Sequence, residues 1–164
     1  MPTAVNRVNE ATERDRLVED IGRYFEGAGI PRMPGRMIGA LMLAEPPEMT
    51  AEDLARALHA SRGSISTASR LLVGAGLVER RRRPGERRDH FAVRPGAWTA
   101  SVERRVDQIA ALRRLAERGL LVVGDEPSRG RESLEELADI CQYFEREWPA
   151  VVRRWRRDRS SGSA

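Results

Sequence analysis

The chain has 164 residues, 40% of them hydrophobic and 33% charged, with 29 basic residues against 25 acidic ones and a formal net charge of +4. That length suffices for one domain, or one small domain plus helices that need a partner, and excludes a second full core. Cys141 stands alone, which excludes an internal disulfide framework; the opening MPTAVNRVNE lacks the apolar core of a signal peptide and no run is apolar enough to span a bilayer, so the expectation is a cytoplasmic protein without a membrane partner.

From Thr12 to Ala28 the residues Leu17, Ile21, Tyr24, Phe25 and Ala28 recur at helical spacing, and Gly29 with Pro31 stops the run. PGRMIGALMLAEPP predicts a short second helix, apolar almost all round and therefore buried, ending at Pro46 and Pro47. In MTAEDLARALHAS, Thr50 is placed as N-cap, Asp53 completes a capping box, Met49 and Leu54 form a hydrophobic staple, and the helix ends near Leu58. The turn HAS then leads into RGSISTASRLLVGAG, where Ser61 caps a helix running to Gly74 or Gly76.

After Gly76 the period changes. Leu77 and Val78 open one strand, Pro84-Gly85 marks a turn, and DHFAV sets Phe91 and Val93 on one face of a returning strand that Pro95-Gly96 closes. A long helix is predicted from Ala97 to about Val123, with Trp98, Val102, Val106, Ile109 and Leu112 on one side and Gly119 as a weak point. Past the loop GDEPSRG, the last helix carries Leu134, Leu137, Cys141, Phe144, Trp148, Val151 and Trp155 in steps of three and four, a stripe resembling a coiled-coil seam. Pro149 predicts a kink near Trp148, and the polar end of the chain is expected to be disordered. The resulting division is an N-terminal helix over 12–30, a helix-and-hairpin lobe over 31–96, C-terminal helices over 97–158 and a disordered tail expected over 159–164.

Helix, turn, helix, strand, basic turn, strand is the order of a winged helix-turn-helix, so the predicted fold class is mainly α with a small β-wing, the lobe being joined to long helices. In that motif the second short helix enters the major groove, about 12 Å wide. With Ile65, Ala68, Leu71 and Leu72 assigned to the core, that helix offers Arg62, Gly63, Ser64, Ser66, Thr67 and Arg70 to base edges and phosphates. The wing supplies Arg81, Arg82, Arg83, Arg87 and Arg88 for phosphates or the minor groove, and Glu86 is expected to hold a neighbouring arginine in place.

The competing reading is a winged-helix module docking on RNA or on another protein. It lacks aromatics interleaved with the arginines for stacking on single strands. No nucleophile, base and orienting group can be assembled, so no catalytic residues are assigned and an enzyme is not expected. His59 and His90 form no Cys/His metal spacing, and neither a metal nor a cofactor is expected. Cys141, within the apolar stripe, reads as a buried structural thiol rather than a redox sensor, and Glu132, Glu135, Glu136 and Asp139 read as a solvated helix face. Arg153, Arg154, Arg156 and Arg157 suit a helix C-terminus.

At GRYFE, GRMIGALML, EDLARAL, ASRGSISTASRLLVGAGLVER and GERRDHFAVRPGAW the chain resembles the MarR family of bacterial transcriptional regulators, in its GbsR-like branch. The likeness is closer still to mycobacterial repressors of MmpL-type efflux systems and extends roughly from Leu17 to Trp155. The family wing reads Asp-Arg-Arg, which maps onto Glu86-Arg87-Arg88 with a longer carboxylate. The resemblance implies a homodimer held by the first helix and the last two, with Leu134 to Trp155 in its seam, repressing from pseudo-palindromic double-stranded DNA. It also implies a small lipophilic or aromatic effector between the dimer helices and the lobe, for which Tyr24, Phe25, Met37 and Trp98 are candidate lining residues, and an efflux or lipid transporter as the regulated system.

Overall fold

The computed structural model describes residues 4–83, 85, 86 and 88–161, with side-chain surroundings from residue 13 onward. Its elements are α1 (Ala4–Gly27), α2 (Arg32–Met42), β1 (Met49–Thr50), α3 (Ala51–Ala57), α4 (Arg62–Gly74), β2 (Val78–Arg82), β3 (Asp89–Val93), α5 (Ala97–Val123) and α6 (Arg129–Ser161). Two units divide the chain, Met1–Ala97 and Trp98–Ala164.

In the first unit α1 begins well before Thr12, because neither Gly nor Pro interrupts the backbone between Ala4 and Gly22. Its packing on α2 is set by glycines. A Cβ at Gly35 would lie 2.9 Å from Phe25 Cβ and 3.1 Å from Gly22 Cα, and one at Gly39 would lie 3.3 Å from Val18 Cα. Hydrogen at these positions lets the two backbones approach more closely than larger side chains would permit. Glu19 on α1 then reaches two arginines of α2, Arg32 at 2.7 Å and Arg36 at 2.6 Å, while Arg36 Nη2 donates to the Leu58 carbonyl at 3.0 Å. The hydrogen bond from Arg32, with both guanidinium charges nearby, holds the Glu19 carboxyl below its ordinary range.

As its composition predicts, α2 is the centre of this unit, with Met37, Ile38 and Leu41 at 0–2% exposure. Against it pack Leu54 and Leu58 of the α3 segment, Ile65, Ala68 and Leu72 of α4, and Leu77, Val78 and Phe91 of the wing. The predicted hairpin gains a third strand that the sequence does not announce, giving the order β1-β3-β2 with Met49 opposite Phe91 and Thr50 opposite His90. Only two residues long, β1 is too short for an alternating pattern to be visible. The other pair runs from Val78 opposite Val93 to Arg82 opposite Asp89.

Both predicted caps are present. Thr50 Oγ1 accepts from the Asp53 N–H at 3.1 Å and the Asp53 carboxylate accepts from the Thr50 N–H at 3.3 Å, completing the capping box; Ser61 Oγ accepts from the Ser64 N–H at 3.1 Å. Chiefly through the Thr50 hydroxyl, this arrangement lowers the Asp53 pKa. At the far end of α4, Gly76 takes φ 67° while its N–H donates to the Val73 carbonyl and that of Leu77 to the Leu72 carbonyl, a Schellman closure.

The second unit is an antiparallel pair. Arg113 reaches Glu145 at 2.8 Å, Arg156 reaches Glu103 at 2.6 Å, and a Cβ at Gly119 would lie 3.0 Å from Leu134. Gly119 is therefore not a break; α5 continues through it, and its missing side chain makes room for Leu134. The expected seam on α6 is divided. Leu134, Leu137 and Trp148 are half-buried and Cys141 is 4% exposed, covered within the same chain, whereas Phe144, Val151 and Trp155 stay 37–50% exposed and Val152 takes the buried position. A stripe spaced for a supercoil drifts around a straight helix, so one partner helix cannot cover all of it.

The helix also passes through Pro149 and runs to Ser161, where disorder was expected from residue 159. Within this last stretch the Ser160 and Ser161 hydroxyls donate to the Arg156 and Arg157 carbonyls, and Arg159 lies 5.5 Å from the Trp155 ring. The final three residues of the expected tail, 162–164, lie outside the described residues.

Two outcomes follow for urea unfolding. Gly35→Ala loses about 1–3 kcal/mol through overpacking against α1, whereas Gly74→Ala, whose Cβ meets nothing within 4 Å, is neutral or gains up to about 1 kcal/mol; equal midpoints for Gly35→Ala and the parent would show that α1 does not need the close approach. Because the folded-state pKa of Asp53 is depressed, its contribution is present above the unfolded carboxyl range and lost as pH falls through the folded value. The stability difference between the parent and Asp53→Asn should therefore shrink on acidification below about pH 4, and a difference that stayed constant to pH 2 would contradict the capping role.

Candidate nucleic-acid interface

The orientation of α4 follows from its buried face. Ile65, Ala68, Ser69 and Leu72, spaced i, i+3, i+4, i+7, are the buried positions. Leu71, expected in the core, is instead 40% exposed, lying one residue off that stripe, and Ser69 takes a buried place with its hydroxyl donating to the Ser66 carbonyl at 3.0 Å. The opposite face presents Arg62, Gly63, Ser66, Thr67 and Arg70 to solvent, with Ser64 half-buried and its N–H committed to the Ser61 cap. Arg70 bends back along the helix, 3.4 Å from the Ser66 carbonyl and 3.5 Å from Thr67 Oγ1. Neither Arg62 nor Arg70 has a carboxylate partner among the described residues.

The wing arginines are placed differently. Arg81 and Arg82 belong to β2, opposite His90 and Asp89, because the hairpin ladder extends to Arg82. Asp89 holds Arg80 at 3.1 Å and Arg82 at 2.9 Å, Glu79 holds Arg81, Glu48 holds Arg83, and Glu52 lies 3.5 Å from Arg88. Arg87 lies outside the described residues. Glu86 meets His90 Nε2 at 2.7 Å and stands 4.0 Å from Arg83, and His90 Nδ1 is 3.6 Å from Glu48. The hydrogen bond from Arg82 lowers the Asp89 pKa, and that from His90 lowers the Glu86 pKa, so both carboxylates stay charged to acidic pH.

Of these carboxylates Glu86 was expected beside the wing arginines, whereas Asp89, Glu79, Glu48 and Glu52 are partners that the sequence reading missed. Asp89 was legible in principle, since a hairpin centred on Pro84-Gly85 brings it opposite Arg82. Glu48 and Glu52 carry no local signal, being separated from Arg83 and Arg88 by more than thirty residues. Between α4 and the wing runs a groove of about 760 Å³ whose walls include Thr50, Ser66, Arg70, Arg80, Arg88 and Phe91.

The four residues considered for an effector do not line that groove. Met37 is fully buried in the helical core, the expected place for a side chain on the apolar face of α2. Tyr24 is 73% exposed on α1 with its ring 5.5 Å from that of the half-buried Phe25, and Trp98, 42% exposed, opens the second unit. Among the described residues no cluster of three or more His, Cys, Asp or Glu side chains could hold a metal ion, and no helix is long and apolar enough to cross a membrane.

Comparison with known proteins agrees with this geometry. Residues 28–89 match the MarR family profile, and residues 96–158 match that of MmpR5-like MarR family transcriptional regulators. The HTH-type transcriptional regulator MmpR5 of Mycobacterium tuberculosis is 40% identical over 129 residues, 79% of this chain and 78% of its own. A crystal structure described as a transcriptional regulator is 36% identical and superposes with a TM-score of 0.76 over 88% of this chain and 99% of that one.

Proposed function

The chain belongs to the MarR family of transcriptional regulators, a family of regulators rather than enzymes, and from that premise we propose that it is a cytoplasmic, homodimeric repressor reading pseudo-palindromic duplex DNA. The observation that carries the proposal is the exposed face of α4, where Arg62, Ser66, Thr67 and Arg70 stand clear of carboxylates beside an arginine-lined wing. Short hydroxyl side chains permit close approach to base edges, while the arginines and the first-turn amides neutralise phosphates.

Support for the dimer comes from the second unit. Leu121 and Val122 are 84–85% exposed, and Ile140, Tyr143, Val151 and Trp155 are 45–52% exposed, more apolar surface than a solitary helical pair keeps in water. In such a dimer two copies of α4 would stand about 34–36 Å apart, one duplex turn. A small lipophilic effector, differing in its affinity for two dimer shapes, would shift that spacing. The likeness to MmpR5 supports an efflux or lipid transporter as the regulated system.

Binding to the promoter DNA upstream of its own coding sequence should weaken steeply with salt, and Arg62→Ala should reduce the log–log slope by about 0.9. Ser66→Ala with Thr67→Ala should instead relax sequence preference at unchanged slope. Single-stranded RNA competing as well as duplex DNA would favour the RNA-docking reading. For assembly, Val151→Asp should raise the dimer dissociation constant by more than tenfold in sedimentation experiments at unchanged helical content; an unaltered constant would move the interface elsewhere.

A further inference from the structure

We propose that Glu48 is a specificity-determining residue that competes with DNA phosphate for Arg83, an inference that rests on the duplex-binding reading above. The two DNA-facing elements differ in electrostatic state. On α4, Arg62 and Arg70 have no carboxylate partner among the described residues, whereas Arg80, Arg81, Arg82, Arg83 and Arg88 of the wing each have at least one within the lobe, Arg83 meeting Glu48 and, at the longer distance of 4.0 Å, Glu86. Asp89 and Glu79 belong to the hairpin itself. Glu48 comes from a separate segment, immediately before the β1 strand that pairs with β3, and its side chain is only 10% exposed beside an Arg83 that is 51% exposed.

A largely buried carboxylate holding a half-exposed guanidinium is a built-in substitute for phosphate. A duplex that meets the wing in a poor register gains nothing by drawing Arg83 away, since one anion merely replaces another. A duplex seated on α4 sets a phosphate where Arg83 can make a charge-assisted contact while its stem turns outward. The carboxylate left behind keeps a neighbour, because His90 Nδ1 stands 3.6 Å from the same oxygen of Glu48 and His90 Nε2 stands 2.7 Å from Glu86. Glu48 thereby weakens indiscriminate binding more than operator binding, which is discrimination by a repulsive element.

The test compares operator and scrambled duplexes over a salt series for the full chain and its variants. Glu48→Gln should tighten scrambled DNA several-fold, raise its salt slope by about 0.9 and narrow the operator preference; in an Arg83→Ala background the same change should do neither. Arg83→Ala alone should lower the operator slope by about 0.9 and leave the scrambled slope unchanged, a measurement that does not depend on Glu48→Gln folding. Weaker binding of both duplexes at unchanged slope would assign Glu48 only to shaping the wing and overturn the proposal. An equal gain in slope with Arg83 absent would overturn it as a general field effect. A parent chain that bound no duplex would overturn the duplex-binding reading itself.

Discussion

Burial of one apolar stripe, Ile65, Ala68 and Leu72, decides what α4 shows to the outside. Each large side chain on it contributes about 1.5–3 kcal/mol by leaving water, several times what an exposed ion pair supplies. No rotation of α4 about its axis keeps that stripe covered while turning Arg62, Ser66, Thr67 and Arg70 inward. The Ser61 cap and the Schellman closure at Gly76 fix where the helix starts and stops. The floor on which it rests, α2, is itself held at close range to α1 by Gly22, Gly35 and Gly39. Backbone packing two layers away thus reaches the exposed face of α4 through a continuous set of contacts.

On the wing, electrostatics follows a different logic. Its arginines are so dense that unpaired they would repel one another, and the structure answers with carboxylates drawn from the hairpin and from the helical body. Net charge is therefore a poor guide to what this surface offers a polyanion. What matters is which guanidinium groups are free and which must first exchange partners, and that division runs between α4 and the wing. The bound carboxylates also give the hairpin a defined attitude before any ligand arrives.

Local signals in the sequence were the most informative. The capping box at Thr50, the Ser61 cap and the change of period after Gly76 rest on contacts between residues a few positions apart, and all appear where the residues place them. Features that depend on distant partners were hidden. The two-residue β1 exists because β3 offers it an edge, Leu71 is displaced from the core by the helical phase that Ser69 shares, and the stripe on α6 is divided by the return of α5. Wing arginines were visible by type, but their state of pairing depends on Glu48 and Glu52, which only the fold brings near.

The central claim is that paired copies of α4 occupy successive major grooves on one face of a duplex. Hydroxyl-radical footprinting on the upstream promoter tests it most directly. The account predicts two protected windows with centres about 10 base pairs apart, flanked by weaker protection where the wings lie. A single window, or protection without phase along the duplex, would contradict it.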